Sequence, residues 1–508
     1  MTDPSSNPHY LTSFLNPQSV AIYGANENVP NNMGSIQLLT LIDNGYQGDI
    51  YPIHPTLDTI FGLKTYKTIS EVPGPVDLVE IILPKRLIPS ILEEIGQKGT
   101  KNVILVTAGF REMDDQDGRG VIQDMAQKYG LHILGPNCIG VMNAHTHVHA
   151  SDVPCVMNTT VQTYAMPPGN VAIASQSGTF VSHVFMLLEE RNLRLSKTLS
   201  LGNEANIDLC DCLEFFADDP ETAVILLYIE EIKRARKFFK LAQQISPKKP
   251  IVVLYMGGST GGAQAIHSHT GSLAGNDILY DGMFHQAGII RVKTFEELLD
   301  AAVIFSHFIP HHILPRGKRL AIMTNSGGPG ATMADQATRY GLEMPPPQES
   351  LHDRLLKKLP PTGQVGNPLD FTFSLNPIDF HYMIPRLYAK SGQYDALITY
   401  GAFGSKFFRY LNYGVEFLAT DKPQQIMDSW MELVEENVTK CGRMMQKLHF
   451  PVVHVNFIGP NEPIFKMLSD HHQPVFRYPH QAIKAIHYLC EYAAFHHSKE
   501  RASLNPTD

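Results

Sequence analysis

Two features of this chain have residue types and spacing suited to chemistry: a histidine within a run of small residues, and turns built from glycine and serine. The run Gly257-Gly258-Ser259-Thr260-Gly261-Gly262-Ala263-Gln264-Ala265-Ile266-His267-Ser268-His269-Thr270-Gly271-Ser272-Leu273-Ala274-Gly275 follows an apolar segment. Such a loop tolerates unusual backbone angles and lets large groups come close. A neutral imidazole there, that of His269, has a nitrogen able to attack a phosphoryl group near pH 7. A carboxylate fixes the tautomer of such a ring, and Glu230, at the end of a strand predicted over 224–228, is placed for that in a parallel sheet. The bland alternative is a solvated loop histidine.

The turns offer anion sites. Ser175-Gln176-Ser177-Gly178-Thr179 follows an apolar strand, and Asn325-Ser326-Gly327-Gly328-Pro329-Gly330 follows another. Each presents free amides at a helix start, where the orphan N–H groups and the helix dipole favour a negative group. Near the N-terminus, Gly24-Ala25-Asn26 is a third strand-to-helix turn, through which a diphosphate can approach backbone amides. The full G-x-G-x-x-G fingerprint is absent and no acidic residue stands where a nicotinamide ribose would be held, which argues against a Rossmann dehydrogenase. Thr107-Ala108-Gly109 and Gly135-Pro136-Asn137 fall at equivalent strand ends, where ligands of such sheets bind.

Short β-rich apolar runs alternate with longer amphipathic stretches, the pattern of parallel strands joined by crossover helices. Strands are predicted at 19–23, 48–53, 78–83, 102–107 and 132–134, then at 170–174, 197–200, 224–228, 250–255 and 288–292, then at 319–324, 396–400 and 451–455. Helices are predicted over 87–98, 119–129, 294–305, 424–448 and 480–495. The fold class is therefore α/β with three similar units, over 11–145, 146–309 and 317–497. The polar stretch from Asp152 to Gly169 reads as a linker, as does Pro310–Lys318.

Bulk properties narrow the function classes. A formal charge of −9 argues against nucleic-acid binding as the main task. Six cysteines in 508 residues are too few for a disulfide framework, and no apolar run approaches the roughly 18 residues that span a bilayer. The N-terminus lacks the order of a signal peptide, so a cytoplasmic protein with no membrane partner is expected. Among 23 histidines, the pairs His311-His312, His471-His472 and His496-His497 read as surface doublets without the carboxylate or cysteine companions of a metal site, and no metal is expected.

The run from Ser268 to Gly275 resembles the phosphohistidine loop of ADP-forming acetyl-CoA synthetases, relatives of succinyl-CoA synthetase. The same pattern recurs in Tyr51-Pro52-Ile53-His54-Pro55, Thr107–Phe110, Gly135–Cys138, Ser175–Gly178, Leu201-Gly202-Asn203, Tyr228-Ile229-Glu230, Thr324–Gly330, Val365-Gly366-Asn367-Pro368 and Tyr478-Pro479. These motifs run in the order of the family's α subunit across roughly residues 12 to 495.

The resemblance implies a CoA-binding Rossmann-like domain followed by two flavodoxin-like, succinyl-CoA synthetase-like domains. CoA would lie against Gly24, Ala25, Asn26, His54, Pro55, Pro84, Thr107, Ala108, Gly109, Pro136 and Asn137. His269 would be the transiently phosphorylated residue and Glu230 its orienting partner. The turns Ser175, Gln176, Ser177, Gly178, Thr179 and Asn325, Ser326, Gly327, Gly328, Gly330 would hold the phosphoryl group. The reaction implied interconverts acyl-CoA, nucleoside diphosphate and phosphate with a small carboxylic acid, CoA and nucleoside triphosphate, through acyl phosphate and phosphohistidine. ADP/ATP or GDP/GTP and Mg2+ would sit on a separate ATP-grasp β subunit in an α2β2 heterotetramer.

The chain departs from the family pattern at several positions. The family usually carries Lys and Arg where this chain has Tyr255 and Gly258, Arg where it has Gln264, Gly where it has Glu231, and Asn-Pro-Lys where it has His54-Pro55-Thr56. Each change removes positive charge or adds negative charge near the phosphohistidine loop or the CoA turn. The alternative reading is a CoA or acyl-CoA sensor that has lost transfer.

Overall fold

The computed structural model describes residues 8–110, 116–148, 155–160, 167–262, 264, 276–372, 376–401, 422–457 and 459–504. His269 and most of the small-residue loop lie outside the described residues. The described chain divides into two compact units, one of residues 1–188 and 194–292, the other of 189–193 and 293–508.

The first unit carries two sheets. Five parallel strands form the first, in the order Asp49–Ile53, Ser19–Tyr23, Leu78–Ile81, Asn102–Leu105, His132–Leu134. The second has seven, in the order Ile290–Val292, Ile251–Tyr255, Val224–Ile229, Val171–Ser175, Leu195–Ser200, Val141–Thr146, Cys155–Asn158. Its first five strands are parallel, and the last two run antiparallel. The central strands are buried along their whole length, so they read as unbroken apolar runs rather than alternating ones.

The antiparallel pair corrects the sequence reading. Cys155–Asn158 lies within the stretch expected to be a linker, and Val141–Thr146 extends the second sheet. Its residues Asn143 and Thr146 can be buried because their polar groups are satisfied: the Asn143 side-chain amide and the Thr146 hydroxyl both donate to the Leu15 carbonyl, far away in sequence. One apolar core runs from Leu11, Val20 and Leu78 through Met157 to Leu199, Leu227 and Phe284, joining the faces of both sheets.

The second unit holds a five-stranded parallel sheet in the order Leu369–Asp370, Leu320–Thr324, Ala396–Tyr400, Val452–Val455, Val475–Phe476. Helices Phe295–Phe308 and Pro479–Leu504 pack together on it, tied by Lys484 and Tyr488 to the buried Glu297. Among the described residues no helix is long and apolar enough to cross a membrane.

None of the three histidine doublets is a simple surface pair. The His311 and His472 rings meet at a tilt with centroids 3.6 Å apart, and burial and the His311 ring push His472 down to about 4. His496 and His497 do have a carboxylate companion, since Glu500 brings the three ligand atoms within 4.8 Å of one another. The i, i+3 and i, i+4 spacing carries that signal in the sequence.

Candidate active site

In the first sheet every expected CoA contact falls at the carboxyl edge. Gly24 follows the first strand with φ +98°, and a Cβ on it would run into the Ile82 carbonyl, so only glycine fits. Ala25 is buried behind it, and the Asn26 amide donates to the Ser35 hydroxyl at 2.9 Å, setting the turn against helix Met33–Asp43. His54 accepts the amides of Thr56 and Leu57 through Nδ1, which orders the exposed turn at Pro55. Pro84 precedes a short helical turn that brings Lys85 Nζ within 3.4 Å of the Gly109 carbonyl oxygen. Thr107 donates its hydroxyl to the Leu83 carbonyl at 2.7 Å and accepts the Asn137 amide through its own carbonyl at 3.1 Å. Ala108 stands exposed between Thr107 and Gly109. The Gly135–Pro136 bond is cis, and Asn137 has φ +60°.

This edge is joined directly to the second sheet. The amides of Asn203 and Ala205 donate to the carbonyls of Pro136 and Gly135, both at 2.8 Å. Gly202 and Glu204 take positive φ to make that fit, and a Cβ on Gly202 would overlap the Pro136 carbonyl. Lys233 then locks the turn: its Nζ donates to the Asn203 carbonyl at 2.8 Å and to the Glu204 carbonyl at 2.7 Å. The Glu204 carboxylate lies 3.8 Å from the same ammonium with its side chain 2% exposed. Burial raises Glu204 to about 8 despite the opposing pull of Lys233. A cavity of about 200 Å3 opens here, lined by Pro136, Asn203, Glu204, Ala205, Glu231 and Lys233 among others.

Neither Glu204 nor Lys233 was legible as a site residue, because 29 residues separate them and no motif contains both. The positive φ of a non-glycine residue after Leu201-Gly202-Asn203 becomes a signal only with coordinates.

The two anion turns share one device. In the first unit Ser175 Oγ donates to the Ser177 carbonyl at 2.8 Å and accepts the Ser177 amide at 3.1 Å. In the second, Thr324 Oγ1 donates to the Ser326 carbonyl at 2.7 Å and accepts the Ser326 amide at 3.0 Å. Each clasp occupies a hydroxyl within the turn and leaves the following helix start, at Gly178 and at Gly327, to present its amides. Thr179, Ser326, Gly327 and Gly328 are exposed, and Asn325 is buried against Gly401. Gly330 is packed on Thr324, where a Cβ would come within 2.8 Å of its methyl.

Glu230 follows the strand Val224–Ile229 and is half-buried. Gln176 positions it: Oε1 accepts the Glu230 amide at 2.6 Å, while Nε2 donates to the Glu231 carbonyl at 2.7 Å. Nearby, Tyr255 stacks on Tyr280 with centroids 4.3 Å apart, and the Arg291 guanidinium lies over the Tyr255 ring at 5.6 Å. A Cβ on Gly258 would overlap Asp277 and come within 2.7 Å of Arg291. Arg291 therefore brings a cation beside the two positions where basic residues are missing, but Asp277 and Asp281 pair with it.

Comparison with known proteins agrees with this layout. A CoA binding domain family matches residues 18–144, and a succinyl-CoA ligase like flavodoxin domain family matches 168–305. Over 490 residues the chain is 34% identical to the acetate–CoA ligase (ADP-forming) I subunit alpha of Pyrococcus furiosus, covering 95% of this chain and 98% of that subunit. It is 38% identical over 392 residues to the II subunit alpha of the same organism, covering 77% and 82%. A solved structure of the acetyl-coenzyme A synthetase 1 of Ca. Korarchaeum cryptofilum, in complex with phosphate and ADP, superposes with a TM-score of 0.78 at 30% identity, covering 97% of this chain and 99% of that one.

These two domains, in this order, define an acyl-CoA ligase subunit fold. The chain belongs to the α-subunit family of nucleoside-diphosphate-forming acyl-CoA synthetases, within the succinyl-CoA synthetase superfamily. It spans about half of the longer acetate–CoA ligase of Methanocaldococcus jannaschii, matching 49% of that protein at 39% identity.

Proposed function

We propose that this chain is the α subunit of an acid–CoA ligase that forms a nucleoside diphosphate when it makes acyl-CoA. The observation that carries the reading is the hydrogen-bonded chain from the Gly135–Asn137 edge through Asn203–Ala205 and Lys233, with Gln176 tying the Ser175–Thr179 turn to Glu230. It links the proposed CoA edge to the Ser175–Thr179 turn within one unit.

In the acyl-CoA-consuming direction, phosphate oxygen attacks the thioester carbonyl, the C–S bond breaks, and CoA leaves as the thiol. Acyl phosphate remains. A neutral His269 nitrogen then attacks phosphorus, the P–O bond to the acyl oxygen breaks, and the carboxylate leaves. Glu230 accepts the N–H of the opposite ring nitrogen and stabilises the cationic phosphoimidazole. Amides at the Gly178 helix start would offset charge on the transferred PO3 group, the main contribution expected in phosphoryl transfer. Lys85, beside Gly109, adds a cation for a CoA phosphate. The phosphohistidine finally passes its phosphoryl group to a nucleoside diphosphate on a separate ATP-grasp β subunit, in an α2β2 assembly, where Mg2+ would neutralise the nucleotide phosphates.

The test is reconstitution with such a β subunit. Acetyl-CoA, ADP and phosphate should give ATP only when both chains are present; ATP formation equal with and without this chain contradicts the assignment.

A further inference from the structure

In the second unit, helix Ile384–Ser391 lies beside helix Lys422–Leu448, with a groove of about 490 Å3 between them. Five cations line it: Arg386 and Lys390 from one side, Lys440, Arg443 and Lys447 from the other. They recur at i, i+4 on the short helix and i, i+3, i+7 on the long one, so each set occupies a single helix face. Among the described residues no carboxylate lines the groove.

Several cations elsewhere are neutralised by a neighbour. Lys128, Lys197, Arg234 and Arg319 each meet a carboxylate. In the groove only Lys440 does, through Glu436 one turn earlier at 2.7 Å. Among the described residues no carboxylate pairs with Arg386, Lys390, Arg443 or Lys447. This concentration stands against a chain whose formal charge is −9. Like charges gathered in a concavity focus their field and favour an anion there.

We propose that this groove binds a small polyphosphate-bearing anion, either a nucleoside di- or triphosphate or a bare polyphosphate. None of its residues belongs to the ligase site described above. Arginine and lysine together suit phosphate oxygens, the first by its planar fork and the second as a mobile point charge. Met444 and Leu448 give the groove an apolar part, and the Tyr382 ring, with the Arg386 guanidinium 6.0 Å from its centroid, offers a stacking face. The short helix has eight residues, about 12 Å of length, and the groove volume lies within the usual range for small ligands. Both dimensions fit one small molecule rather than a nucleic acid.

Calorimetric titration of the full chain with tripolyphosphate and, separately, with ATP tests the proposal. Wild type should bind one anion per chain, with affinity that falls as salt rises, and the double variant Arg443→Ala/Lys447→Ala should bind at least tenfold more weakly. Tighter binding of ATP than of tripolyphosphate, with the difference lost in Tyr382→Ala, assigns a nucleotide; equal affinities assign a bare polyphosphate. Equal affinity in wild type and the double variant, or no binding by wild type at millimolar ligand, overturns the proposal. Neither result bears on ligase activity, which is measured with the partner subunit.

Discussion

The side-chain oxygen of Gln176 accepts the backbone amides of both Glu230, at 2.6 Å, and Glu231, at 3.0 Å. One amide group therefore fixes the turn that carries Glu230 to the turn that precedes the Gly178 helix start. Gln176 is 9% exposed, so water does not readily replace these bonds.

Replacing Gln176 with Met keeps its bulk and removes those bonds. Two half-buried amides then lose their partner, at about 1 kcal/mol each before relaxation. Phosphohistidine formation should slow about tenfold or more, with the KM for CoA changed by less than twofold. A rapid-quench measurement of His269 labelling beside a CoA titration checks this.

Gly24→Ala acts on the CoA edge alone. The new methyl has nowhere to go against the Ile82 carbonyl, and φ +98° is strained for any L side chain. CoA binding should fall more than tenfold and the melting temperature should drop, both measured on the isolated chain.

Glu204 makes stability fall as pH rises. Its folded value is raised to about 8, whereas an unfolded glutamate titrates near 4.3. Below the unfolded value both states are protonated and no difference exists. Between roughly 4.3 and 8 the unfolded state ionises first, and stability is progressively lost. Glu204→Gln should flatten that part of the thermal-melt profile while leaving the Lys233 bonds to the Asn203 and Glu204 carbonyls. A variant profile as steep as wild type counts against Glu204 as the source.

The second unit responds in the opposite sense. Burial lowers His381 to about 3, with His454 adding to the effect, and lowers His454 and His307 to about 4. His454 is held neutral between Thr399, whose hydroxyl meets Nδ1 at 2.7 Å, and Gln473, whose oxygen meets Nε2 at 2.9 Å. A lowered histidine contributes stability that is complete above about 6.5 and is lost as pH falls toward the folded value, on the order of 3 kcal/mol per group. The single tryptophan, Trp430, lies in helix Lys422–Leu448 of this unit and reports on it. Its fluorescence should show a urea midpoint that falls between pH 7 and pH 5, and His381→Phe should reduce that fall.

Strands such as Val171–Ser175 and Ile251–Tyr255 were legible because both faces are buried, which leaves unbroken apolar runs bounded by turn residues. Val141–Thr146 was not, because its buried Asn and Thr are satisfied by the Leu15 carbonyl, a partner distant in sequence that composition does not reveal. The Gly24, Gly135 and Ser175 turns announce themselves through residue type. Glu204 with Lys233, and Arg386 with Arg443, meet only through tertiary contacts between segments distant in sequence.

The most direct test labels the histidine. The chain, combined with an ATP-grasp β subunit, is incubated with acetyl-CoA and radioactive phosphate without nucleotide, then digested. The account predicts an acid-labile, base-stable label on the peptide containing His269, absent from His269→Ala although that variant still binds CoA. Equal labelling of the variant, or ordinary turnover by it, would contradict the account.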